Sequence, residues 1–155
     1  MDFELSEDQV LLQESVTRFV QNNYSHEQRR KLVDTDLGYS EANWSQYAEL
    51  GWLGMAFPEA VGGYGGTPIE TMVVMEEFGK GLVAEPFVST VILGGGALVH
   101  GGSTAQLQAL VPEIAEGKLK LALAFAERQS RYNLADVETT ATKSGGDYTL
   151  SGAKS

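Results

Sequence analysis

The sequence predicts a mainly α-helical chain, a helical bundle that passes near its end into the first strands of a sheet domain. Three observations carry this. Capping signals recur ahead of amphipathic runs: Ser6 with Gln9, Thr67-Pro68 with Glu70, and Ser103 with Gln106. Behind those starts apolar residues return every three or four positions, the spacing of one helical face. After Gly117 the period falls to two, and β-prone residues gather around a Gly-Gly pair.

The first helix opens at Ser6, carries Leu12, Val16, Phe19 and Val20 on one face, and ends at Asn22-Asn23. A short amphipathic helix follows from His26 to Val33. A third opens at Ser40, carries Trp44, Tyr47 and Leu50, and stops at Gly51, a left-handed cap. Gly62-Gly63-Tyr64-Gly65-Gly66 invites a phosphate-cradle reading, but no Lys-Ser/Thr follows it and no strand leads into it. The loop is read instead as a tight, ordered turn between helices. The next helix has Thr67 as cap, Pro68 at its first position and Glu70 at its third. Its Met72, Val73, Val74, Met75 and Phe78 place it in the core, with the methionines as gap-fillers.

Residues 88–100 are mostly apolar and hold Gly94-Gly95-Gly96. Each glycine inside a helix costs about 1 kcal/mol relative to alanine. Close packing, a break in the helix, or room for a ligand would offset that, and the residues alone leave all three open. In a regular helix Val88, Val91, Ile92 and Gly95 share one stripe, an apolar wall lacking a side chain at one end. A last helix starts at Ser103, carries Leu107, Leu110 and Val111, and closes before Gly117. Residues 118–126 alternate long and short side chains, as a half-buried strand does. Residues 137–142 and 148–151 then read as two strands of a hairpin around Gly145-Gly146. A lone hairpin is marginal, so these strands are expected to pair with others. The domain boundary is set at 118/119, with 1–118 helical and 119–155 the start of a β-domain.

Composition narrows the function. The 155 residues suit one domain and the start of a second, and 11 basic against 21 acidic side chains leave a net charge of −10. That excess repels phosphate backbones and anionic lipid, which sets nucleic acid and membrane surfaces aside as partners. With no cysteine, disulfides, thiolate nucleophiles and Cys-based zinc sites are excluded, and His26 and His100 are too far apart in sequence to suggest a multi-His metal site. The amino terminus is acidic where a secretory signal is basic, and no apolar run approaches the ~20 residues that span a bilayer. A cytoplasmic location is expected. No nucleophile elbow, zinc helix or Walker loop is present. The densest polar stretch is Glu127-Arg128-Gln129-Ser130-Arg131-Tyr132-Asn133, directly after the strand expected to end at Ala126. Arg128 and Arg131 suit phosphate oxygens, and Tyr132 can stack or hydrogen-bond. A solvated loop pairing its arginines with nearby acids is an equal reading of those residues.

The order of these elements resembles the amino-terminal part of the acyl-CoA dehydrogenase family. Phe3-Glu4-Leu5-Ser6-Glu7-Asp8-Gln9 looks like the family's F-x-L-T-E-E-Q opening. Ala48-Glu49-Leu50-Gly51-Trp52-Leu53-Gly54, followed by Pro58-Glu59-Ala60-Val61-Gly62-Gly63-Tyr64-Gly65, looks like E-L-G-L-L-G then P-E-x-Y-G-G-x-G. Glu76-Glu77-Phe78-Gly79 matches the next helix, and Leu150-Ser151-Gly152-Ala153-Lys154-Ser155 looks like L-N-G-x-K-x. Within the family, residues 126–136 are most similar to the small subunit of the pimeloyl-CoA dehydrogenase branch.

The resemblance implies an up-and-down helical bundle leading into a β-barrel and then a four-helix bundle, with FAD bound across domains and subunits. It implies oxidation of an acyl-CoA to a trans-2-enoyl-CoA, a large partner subunit in a homo- or hetero-oligomer, and an electron-accepting flavoprotein. The family's glutamate base lies beyond the position of Ser155, so no catalytic residue is expected in this chain. The family's flavin loop T-E-P-x-A-G-S-D puts Thr on Ala126, Glu on Glu127, Gly on Arg131 and Ser on Tyr132; only the glutamate is kept. The cofactor-binding candidates are Phe125, Ala126, Arg131 and Tyr132. The substrate-binding candidates are Val88, Val91, Ile92, Gly95 and Tyr132. A non-catalytic partner subunit that shapes the acyl pocket of a sister chain is the alternative reading.

Overall fold

A computed structural model describes residues 4–155, so Phe3 of the opening motif lies outside the described residues. The chain forms two compact units, one running to Ala122 and the other Leu123–Ser155.

The first unit is helical. Helices α1 (Glu7–Asn23) and α2 (His26–Val33) each start on a complete capping box, Ser6 with Gln9 and Ser25 with Gln28. Helix α3 (Glu41–Glu49) is capped by the Ser40 hydroxyl, and Gly51 beyond it turns left-handed at φ 78°. Helix α4 (Pro68–Gly81) has the Thr67–Glu70 box and proline at its first position, and α6 (Thr104–Ala115) the Ser103–Gln106 box. Each cap satisfies backbone N–H groups that a helix start leaves unpaired.

Burial follows the apolar stripes. Val16, Phe19 and Val20 of α1, Trp44 and Tyr47 of α3, and Val73, Val74 and Phe78 of α4 are buried. Tyr47 is at the centre, its ring 5.2 Å from Phe19, 5.2 Å from Trp52 and 5.0 Å from Phe78. Met72, expected in the core, faces solvent, because α4 turns only one stripe inward and position 72 lies off it. The glycine-rich loop is the ordered turn expected. After a 3₁₀ turn at Glu59–Val61, the N–H groups of Gly63, Tyr64, Gly65 and Gly66 donate to carbonyls of residues 54–58. A Cβ on Gly63 would fall 2.1 Å from the Phe57 carbonyl oxygen, so the chain fits only without one.

Helix α4 ends unusually. Gly81, the residue best suited to a left-handed cap, is still helical, because a Cβ there would sit 2.4 Å from Val20 Cγ1 of α1. The left-handed position falls instead on Leu82, at φ 51°. A β-carbon costs roughly 1–2 kcal/mol in that conformation, and the Leu82 side chain is largely exposed. Leu82→Gly is therefore expected to raise the unfolding free energy by about 1 kcal/mol, read as a higher urea midpoint at unchanged slope.

Residues 88–100 are not one regular helix. Val88–Gly94 is a π-helix and Gly95–Gly101 is α5. The wider i→i+5 spacing breaks the regular stripe predicted for Val88, Val91, Ile92 and Gly95. Residues 118–126 also differ from expectation: no strand forms there. Leu119 and Leu121 pack against the helical core instead. The buried Thr90 hydroxyl accepts from the Leu121 N–H at 3.2 Å and lies 3.4 Å from its carbonyl, supplying locally what a partner strand would. Lys120 lies over the Tyr39 and Trp44 rings at 5.6 and 5.5 Å.

The second unit holds an antiparallel hairpin, β1 (Thr140–Ser144) and β2 (Asp147–Ser151), turning on Gly145-Gly146. The register pairs Ala141 with Leu150 and Lys143 with Tyr148. The first strand starts at 140 rather than 137, because the Glu138 and Thr139 N–H groups bond to a side chain instead of a strand. All ten strand residues are exposed, so neither face is covered within the unit. Among the described residues no helix is long and apolar enough to cross a membrane.

Candidate functional site

Two regions carry the chemistry, one in each unit. In the helical unit a cavity of about 310 Å³ opens between the start of α4, the Ala56-Phe57 turn and the 91–100 helical segment. Its wall is mainly apolar: Ala56, Phe57, Pro68, Val91, Ile92 and Val99. Of the four helix residues expected to line a substrate wall, Val91, Ile92 and Gly95 line this cavity, and Val88 is an exposed residue outside the lining.

The three glycines separate into two roles. A Cβ on Gly94 would meet Leu121 Cβ at 2.5 Å, and one on Gly95 would meet the Phe57 ring at 2.5 Å. Packing accounts for both. Gly96 has nothing within 4 Å of a built Cβ, yet it lines the cavity. Its missing side chain is space left open, at about 1 kcal/mol of helix propensity. Close packing and open space therefore occur on adjacent residues.

The cavity's polar rim consists of Thr67, Thr71 and His100. Thr67 is committed to its cap, accepting from the Ile69 N–H at 3.2 Å and bonding the Glu70 carboxylate. Hydrogen bonds from the Thr67 hydroxyl and the Gln9 amide hold Glu70 down to about 2. Its charge is thereby tied to the helix start and to α1.

In the second unit the loop after Ala126 is organised by Glu127. Its carboxylate is almost wholly buried and accepts from Gln129 Nε2 at 2.6 Å, from the Glu138 and Thr139 N–H groups at 2.7 and 3.1 Å, and from Lys154 Nζ at 2.7 Å. The Lys154 ammonium foremost, with these amides, holds it far below the ordinary carboxylate range. Ser130 closes the turn, donating to the Glu127 carbonyl at 2.8 Å, and the Ser155 N–H reaches the Ala126 carbonyl at 3.0 Å.

Arg131 takes φ 48°, a left-handed conformation that favours glycine. The family pattern has glycine at this position. The loop thus keeps a glycine's backbone shape under an arginine side chain, at a local cost of order 1 kcal/mol. Arg131 is exposed, Tyr132 is fully so, and Phe125 is half-exposed. Ala126 is half-buried and brings no hydroxyl. Among the described residues no ion pair holds Arg128 or Arg131. The guanidinium is thus exposed and outside any ion pair, and the Tyr132 phenol is fully exposed beside it in sequence.

Sequence reasoning ranked the arginines above Glu127 and gave Lys154 no role. The signal was the retained glutamate in an otherwise altered loop motif, paired with the lysine of the closing L-S-G-A-K-S run. Thr71 was not singled out at all.

The first unit is thus a helical bundle with an apolar cavity beside a glycine-bearing helix, and the second unit holds an antiparallel hairpin. Residues 6–118 match the family model described as acyl-CoA dehydrogenase, N-terminal domain. The chain belongs to the acyl-CoA dehydrogenase family, an oxidoreductase family whose members are flavoproteins. It is 37% identical over 114 residues to the acyl-CoA dehydrogenase IpdE2 of Mycolicibacterium smegmatis, covering 73% of this chain and 35% of that protein. It is 28% identical over 156 residues to the probable acyl-CoA dehydrogenase YngJ of Bacillus subtilis, covering 99% of this chain and 40% of the relative. Among solved structures, a chain of the ChsE4-ChsE5 complex from Mycobacterium tuberculosis superposes with a TM-score of 0.85 at 27% identity, covering 99% of this chain and 41% of that one. The chain thus spans about two-fifths of the length of these relatives.

Proposed function

We propose that this chain is the amino-terminal part of a subunit of an FAD-dependent acyl-CoA dehydrogenase, which oxidises an acyl-CoA thioester to a trans-2-enoyl-CoA. The observation that carries the reading is Gly96, a helical glycine that no packing requires, on the wall of an apolar cavity. In the complete enzyme the Val91, Ile92 and Phe57 wall buries the acyl tail and excludes water from it, which strengthens polarisation of the thioester at the reacting end. Arg131 and Tyr132 would hold the phosphates of FAD or CoA, and Phe125 and Ala126 would contribute to the same cofactor site. FAD supplies the hydride acceptor when bound.

The family's base lies in a later domain, so the 155-residue chain alone is expected to be colourless and inactive. A large partner subunit, an electron-accepting flavoprotein and a cytoplasmic setting complete the proposal. The exposed faces of β1 and β2 support it, since a two-stranded hairpin requires neighbours for stability. The likeness of residues 126–136 to the pimeloyl-CoA branch supports a dicarboxylyl thioester as substrate. A second reading, a non-catalytic partner that shapes a sister chain's acyl pocket, is favoured by Ala126, which brings no hydroxyl to the flavin loop.

The test is the complete enzyme with its partner, read by flavin absorption and enoyl-CoA formation. Flavin and turnover support the first reading; a complex with neither overturns it. In that enzyme Gly96→Leu is expected to leave folding intact or slightly stabilised, since leucine is the better helix former. The same change fills the cavity and lowers kcat/KM for long acyl chains at least ~10-fold. Unchanged chain-length preference would remove the cavity from the substrate path.

A further inference from the structure

Three polar side chains face the cavity, and they differ in what they already do. The Thr67 hydroxyl is spent on the α4 cap. The Thr71 hydroxyl and the His100 imidazole have no hydrogen-bond or ionic partner among the described residues. Both therefore offer uncommitted hydrogen-bonding groups at the cavity.

Their placement is specific. His100 follows Gly96 by four residues on α5, so the two share a helix face. The bare Gly96 leaves space beneath the imidazole. Thr71 lies on the opposite wall, on the first turns of α4, four residues after its cap. The nearest acid in sequence, Glu70, has its carboxylate bound to Thr67 and Gln9 and so is turned to other work. At about 310 Å³ the cavity is at the lower end of small-molecule sites, which run about 300–1,000 Å³. It accommodates a tail and not a whole CoA ester.

We infer that this cavity selects an acyl tail bearing an oxygen acceptor at its far end, with His100 and Thr71 as the residues that read that oxygen and Gly96 as the residue that makes room for it. The inference rests on the cavity receiving the acyl tail, as proposed above. A plain alkyl end would take water from Thr71 and His100 and return no hydrogen bond, whereas a terminal carboxylate or hydroxyl pairs with both. Sites built to hydrogen-bond a substrate group discriminate strongly against analogues lacking it.

The experiment uses the 155-residue chain and amide NMR, with N-acetylcysteamine thioesters of octanoic, 8-hydroxyoctanoic and suberic acids as probes. The expected result is that the two oxygen-ended thioesters shift amides at Phe57, Thr71 and residues 95–100 and bind at least ~10-fold more tightly than the octanoyl thioester. His100→Phe and Thr71→Val should each shrink that preference. His100 is exposed, so its variant keeps the fold even where Thr71→Val does not. A suberyl preference alone identifies the group read as an anion; a preference for both oxygen-ended probes identifies it as any acceptor, and either supports the inference. Equal affinity for all three thioesters, or a preference that survives His100→Phe undiminished, overturns it. If no thioester shifts any cavity amide, the acyl-tail reading itself fails, which is a separate outcome.

Discussion

Glu127→Gln is expected to dissolve the ordered loop of the second unit while leaving the helical unit folded. The glutamine keeps the shape but loses the charge that holds Lys154, and its amide end presents donors where the Glu138 or Thr139 N–H group also donates. Residues 127–139 and 154–155 are then expected to lose amide protection and become open to proteolysis, while α1 and α4 are unaffected. Equal protection in the variant would show that the carboxylate is not the organising group. The wild type carries a pH signature of the same contact. Glu127 is held below the ordinary glutamate value of 4.5, so its contribution is complete above that pH and declines as pH falls toward the folded value. An acid titration of loop amides should show this loss in the wild type and not in Glu127→Gln.

Tyr47→Ala is expected to cost about 4 kcal/mol, the scale measured for removing a buried aromatic ring. Against a total stability of about 5–15 kcal/mol, that brings the helical unit close to unfolding. The ring is fully buried, between Phe19, Trp52 and Phe78. Tyr47→Phe separates packing from polarity. It keeps the ring and removes the hydroxyl that bonds Glu85 Oε2 at 3.3 Å. Glu85 is buried and also accepts from the Ser40 N–H and Asn43 Nδ2, and among the described residues no ion pair holds it. Burial pushes its carboxyl above the ordinary range. Its sign is therefore opposite to that of Glu127: no penalty falls on the fold below about 4.3, and one accrues as pH rises through the raised value. Tyr47→Phe should cost about 1–2 kcal/mol near neutrality and less in acid. Denaturant midpoints at pH 4 and pH 7 test this, and a pH-independent loss would sever Tyr47 from Glu85.

Helix starts were legible because a capping box is a local contract between two residues three apart, met here at Ser6, Thr67 and Ser103. The hairpin was legible for the same reason, its turn being carried by Gly145-Gly146. Misreadings arose wherever a distant partner set the outcome. Residues 118–126 have a strand's alternation and no strand beside them, so Thr90 and the helical core took Leu119 and Leu121 instead. Leu82 carries the left-handed cap because Val20, some sixty positions earlier, claims Gly81. In the candidate site, Val91, Ile92 and Gly95 were found by helical spacing, whereas Val88 fell outside once the segment wound as a π-helix.

Reading residues in order thus yields the mainly helical class, the caps, the glycine turn and the family, since each depends on side chains within a few positions or on several co-ordered motifs. Long-range contact alone separates the packed glycines from the open one, makes Glu127 the partner of Lys154, and brings Thr71 and His100 to opposite walls of one cavity. The physical reason is that a steric clash, a buried charge and an unpaired donor are properties of neighbours in space. Spacing along the chain does not encode which neighbours those will be.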